Sequence, residues 1–82
     1  MKFLVEFHLK PGSMKKAVEL FEQVGPNRNP GVAFRGAWVG THTEIAFVLI
    51  ESDDENLVTR AAQSWSEHGD FEIHPVLDIE NF

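Results

Sequence analysis

Glu6, His8, Glu72 and His74 are the residues of this chain best suited to proton transfer. An imidazole beside a carboxylate can act as a general base. Two imidazoles and a carboxylate can also hold a metal ion. The same four residues serve equally well as inert, hydrogen-bonded groups at the rim or interior of an interface. Glu6 and His8 are two positions apart, which on a strand puts both on one face. His8, His74 and Glu6 are therefore the candidate catalytic set, and no metal or cofactor is assigned.

A second candidate lies in GPNRNPGVAFRGAWVG, residues 25–40, where an acidic chain concentrates two of its three arginines. The planar fork of arginine suits a carboxylate or a phosphate. Arg35, Arg28, Asn27, Asn29 and Trp38 are the candidate ligand-binding residues, and a small anionic or aromatic molecule is the expected ligand. The competing explanation is turn chemistry, because asparagine caps turns and tolerates left-handed backbone without any ligand. Trp65 lies on a helical stripe and reads as core. His68 sits where it favours a helix dipole, and His42 marks an exposed hairpin tip. The run SDDE at residues 52–55 is a helix start, since the remaining spacing of a calcium loop is missing.

The composition narrows the classes. Eighty-two residues with 43% hydrophobic content make one globular domain, residues 1–82. Thirteen acidic against seven basic residues, a net charge of −6, speak against nucleic acid or an anionic membrane as partner. The absence of cysteine excludes disulfides and thiolate metal sites and fits a cytoplasmic location. The longest apolar run, IAFVLI, is too short for a bilayer, and the N-terminus lacks the features of a signal peptide.

The elements that must position these residues follow from periodicity. KFLVEFHLK alternates strictly, with Phe3, Val5, Phe7 and Leu9 on one side. After PGS, with Ser13 as cap, Met14, Ala17, Val18, Phe21 and Val24 recur at helical spacing up to Gly25. VAFRGAWVG is a strand weakened by two glycines, hence an edge. EIAFVLIES is the next strand. A helix with a Ser52–Glu55 capping box and a stripe of Leu57, Val58, Ala61, Ala62 and Trp65 runs to Gly69. DFEIHPVLDIENF closes the chain as a second edge strand, with Phe71, Ile73, Leu77 and Ile79 on its apolar side. The order β-α-β-β-α-β predicts a ferredoxin-like α+β sandwich: a four-stranded antiparallel sheet, first and third strands central, with two helices on one face.

The third strand is apolar on both sides, Ile45, Phe47 and Leu49 against Ala46, Val48 and Ile50. Two helices cover only one face, so a second copy packed sheet to sheet is expected on the other. Val48 is assigned to that dimer face, so that a charge there should break the assembly. With Phe3 and Phe7 facing the helices, Glu6, His8, Glu72 and His74 cluster on the open face. The parity of the second strand stays undetermined: either Arg35, or Phe34 and Trp38, face that space.

The stretches FHLKPG, GAWVG, IESDDENLV and SWSEHGDFEIHPV, with the strand order, resemble the dimeric α/β-barrel superfamily over nearly the whole chain, and within it a bacterial domain of unknown function. The resemblance implies a ferredoxin-like fold and a homodimer with its sheets face to face. Its wider relatives include cofactor-independent monooxygenases, small-ring isomerases, haem-degrading enzymes and stress proteins, and no catalytic set transfers residue by residue. The expected function is binding of a small molecule between the sheet and a partner copy. An oxygenase or isomerase with a histidine base, and a structural or regulatory dimer, are the alternatives.

Overall fold

A computed structural model describes residues 1–24 and 30–82. Strand β1 (Lys2–Leu9) leads into helix α1 (Met14–Val24), strands β2 (Ala33–Val39) and β3 (Ile45–Glu51), helix α2 (Glu55–Gln63) and strand β4 (Gly69–Val76). Short 3₁₀ turns cover Ser66–His68 and Ile79–Asn81. The strands form one antiparallel sheet in the order β2-β3-β1-β4, so β1 and β3 are central and β2 and β4 are edges. This is the ferredoxin-like arrangement expected from the element order. Among the described residues no helix is long and apolar enough to cross a membrane.

Register decides which side chains share a face. Phe3 pairs with Ile50, Val5 with Val48 and Phe7 with Ala46, and this set lies under the helices. Phe3, Val5 and Val58 are fully buried there, packed with Ile50 and Ala62. Val48 is therefore a residue of the helix-side core, 7% exposed, and not of the open face. Ile45, Phe47 and Leu49 point the other way. Both sets are apolar, so only the pairing with β1 separates them.

Two other local readings are corrected. Asp54, not Ser52, caps α2: its carboxylate accepts the Asn56 N–H at 2.9 Å. Ser52 is buried, and its hydroxyl donates to the Gly31 carbonyl at 2.8 Å, tying the start of β2 to the end of β3. The last strand stops at Val76 rather than running on, and Leu77, Ile79 and Phe82 stand 75%, 90% and 95% exposed. Gly69 has a role beyond ending a helix. It pairs with Leu9, and a β-carbon there would run into the His8 carbonyl, so only glycine lets β4 begin against the end of β1.

Candidate functional site

The open face of the sheet is built in rows. One row reads Trp38, Phe47, Glu6, Glu72 from β2 to β4, and the next reads Gly36, Leu49, Leu4, His74. A third brings Ile45, His8 and Asp70 side by side. The face is thus divided: Trp38, Phe47, Leu49 and Leu4 form an apolar patch, and Glu6, His8, Glu72, His74 and Asp70 a titratable one.

The structure brings Glu6, His8, Glu72 and His74 together, as the alternation of β1 and β4 predicts. His8 Nε2 lies 2.6 Å from Glu6 Oε2. His74 Nε2 lies 3.6 Å from Glu6 Oε1 and 3.6 Å from Glu72 Oε2. One carboxylate, Glu6, thus bridges the two imidazoles, and it is the least exposed member of the group at 25%.

The arginine-rich stretch divides differently. Asn27, Arg28 and Asn29 lie outside the described residues. Arg35 and Trp38 both belong to the open face, because a β-bulge between Phe34 and Gly36 adds a residue and breaks the alternation. Phe34 turns to the helices, meeting Phe21 edge to face at 5.9 Å. Trp38 lies over Gly36, where a β-carbon would meet its ring. The Arg35 guanidinium donates to Glu51 Oε1 at 2.8 Å, so its fork is already engaged by a carboxylate of the neighbouring strand.

That contact, first through the hydrogen bond and then through the charge of Arg35, holds the Glu51 carboxyl below its ordinary value. The stabilisation it brings is present above the unfolded-state value and is lost as pH falls through the lower folded one. Lys2, bonded to Asp78 at 3.0 Å, moves upward instead, and its contribution fades as pH rises through the raised value. Both pairs are exposed, so their effect on stability is small. Arg35→Ala is expected to return the Glu51 carboxyl toward its ordinary value, as read by NMR titration of its side-chain carbon. A Glu51 titration unchanged by the substitution removes the pairing.

The pocket lies on the opposite side of the sheet from this cluster. A cleft of about 310 Å³ opens between the helices and the β2–β3 side of the sheet. Aromatic rings of Phe21, Phe34 and Trp65 wall it, and its lining includes five alanines: Ala17, Ala37, Ala46, Ala61 and Ala62. Those alanines are its cause, because each leaves unfilled the space that a larger side chain would occupy. One buried polar atom belongs to the lining. His68 Nε2 has no hydrogen-bond partner among the described residues, and the Glu67 carboxylate at 3.6 Å is too far to serve. His68 is thus a cavity-wall residue, a role that its position after a helix did not signal. Ala61, Ala62 and Trp65 were legible as an apolar stripe, but nothing in that pattern separates packed from hollow.

The sheet stands between the two sets. His8 and His74 face away from the cleft, so within one chain neither imidazole reaches a molecule held under the helices.

A family model described as a domain of unknown function (DUF3303) matches residues 1–82. No curated protein and no solved structure matches the chain.

Proposed function

The chain belongs to the DUF3303 family, whose description carries no activity, and from geometry we propose that it is a small-molecule binding protein that works as a sheet-to-sheet homodimer. The observation that carries the binding reading is the apolar cleft of about 310 Å³ with a buried imidazole nitrogen in its wall that has no hydrogen-bond partner among the described residues. Its volume is at the lower end of ligand pockets, and engineered apolar cavities of about 150 Å³ already take up benzene. The favoured occupant is a compact aromatic molecule carrying a single hydrogen-bonding group for His68 Nε2. Among the described residues an anion is a poorer fit, because the lining there includes the carboxylate of Glu22 and no cation, and Arg35 is bound to Glu51 on the far side of the sheet. On this reading the ligand sits under the helices rather than between sheet and partner.

The dimer reading is supported by the apolar patch of the open face, Leu4, Phe47 and Leu49 beside the 55% exposed Trp38, and by the exposed apolar side chains after β4. A second copy is the cheapest cover for such a surface, since one self-complementary patch serves both subunits.

Trp65 walls the cleft and Trp38 borders it from β2, so both indoles can report on its occupancy. Adding 2-naphthol is expected to move the Trp65 indole N–H resonance, and that of Trp38 less, with 2-naphthoate acting more weakly on both. Ala46→Leu, which adds three carbons to the cleft wall, is expected to stabilise the free protein by about 0.5–2 kcal/mol and to abolish the response. A Trp65 resonance indifferent to both compounds refutes the pocket.

A further inference from the structure

We propose that Glu6, His8, Glu72 and His74 form a binding site for one first-row divalent cation of the zinc class on the open face of the sheet. The proposal is independent of the cleft under the helices. Glu6 and Glu72 face each other directly across the β1–β4 pair. Like charges in that position are destabilising unless something positive lies between them. Among the described residues their ion-pair partners are imidazoles alone: His8 and His74 for Glu6, His74 for Glu72. The nearby cations are committed elsewhere, Arg35 to Glu51 and Lys2 to Asp78.

The donor atoms already converge. One ligand atom from each of Glu6, His8 and Glu72 lies within 4.8 Å of the others, and His74 Nε2 is 3.6 Å from both carboxylates. A tetrahedral ion with bonds of about 2.0–2.1 Å needs donors about 3.3 Å apart. The 2.6 Å Glu6–His8 contact would open and the wider separations within Glu6, His8 and Glu72 would close by side-chain rotation, and His74, which stands outside that convergent set on the other Glu6 oxygen, would swing in to complete the site. Imidazole nitrogen with carboxylate oxygen suits zinc, cobalt, nickel or iron and disfavours magnesium or calcium, which take oxygen alone. All four ligands come from two strands that pair without interruption from Lys2–Val76 to Leu9–Gly69.

The test is isothermal titration calorimetry of the full chain, purified without a histidine tag and stripped with chelator, using Zn²⁺ and then Mg²⁺. One Zn²⁺ per chain is expected, with no Mg²⁺ response. His8→Ala, His74→Ala and Glu6→Gln are each expected to weaken Zn²⁺ binding at least tenfold, while His42→Ala, at the exposed hairpin tip, leaves it unchanged. Because His8 and His74 are half exposed, these variants keep the fold, which a melting curve checks. Co²⁺ is expected to give the visible absorption of a four-coordinate nitrogen–oxygen site. Absence of saturable Zn²⁺ binding overturns the proposal, as does binding that survives all three substitutions. In either case Glu6 and His8 are a close imidazole–carboxylate pair without a metal.

Discussion

Leu49→Glu is expected to give a folded monomer, and Val48→Glu, one residue away, an unfolded chain. The two residues have similar side chains and opposite surroundings. Val48 pairs with Val5 and is 7% exposed in the helix-side core, where it borders the cleft among mostly apolar neighbours. A charge forced into that site is either uncompensated or protonated, and either state costs several kcal/mol of a stability that totals roughly 5–15. Leu49 lies between Leu4 and Gly36 on the open face, where a glutamate in the isolated subunit meets water. In a two-fold dimer the same glutamate is buried twice, once from each subunit. A total penalty of about 4 kcal/mol already raises the dissociation constant on the order of a thousandfold. Sedimentation velocity separates the outcomes, with circular dichroism reporting the fold. A Leu49→Glu protein that sediments as a dimer would show that the subunits meet elsewhere.

Phe3→Ala is expected to cost about 3–5 kcal/mol, the upper range for deleting a buried side chain. Phe3 is completely buried between Ile50 and the α2 side of the core, and it does not border the cleft. Removing it opens a new void that rigid neighbours on two central strands cannot close. In a domain of this size the loss corresponds to a melting point lower by roughly 4–8 °C for each kcal/mol. Phe21→Ala is the informative comparison. Phe21 is half-buried and already borders free space, so fewer contacts are lost. Equal costs for the two substitutions, by thermal or urea unfolding, would mean that the core is uniformly packed.

Much of this architecture is legible in the residue order, and the exceptions have physical causes. The alternation of Phe3, Val5 and Phe7 against Leu4, Glu6 and His8 fixes a two-faced strand, and that of Phe71 and Ile73 against Glu72 and His74 does the same. Since β1 and β4 are neighbours, the titratable cluster followed from parity alone. The third strand has no such contrast: Val48 and Leu49 are both apolar, and only register tells them apart. Strict alternation puts either Arg35 or Trp38 on the open face, and a bulge, which no side chain announces, admits both. Leu77 and Ile79 continue the apolar spacing of β4, but pairing ends at Val76, so periodicity alone overextended the strand. The cleft was least legible, because an alanine looks the same in a sequence whether its neighbours close over it or leave it open.

The five alanines of the cleft wall have a thermodynamic consequence. The cleft is open to solvent, so its apolar walls are wetted when it stands free. A molecule of the kind proposed, seated among Phe21, Phe34 and Trp65, would shed that water, and its binding is expected to carry a negative heat-capacity change.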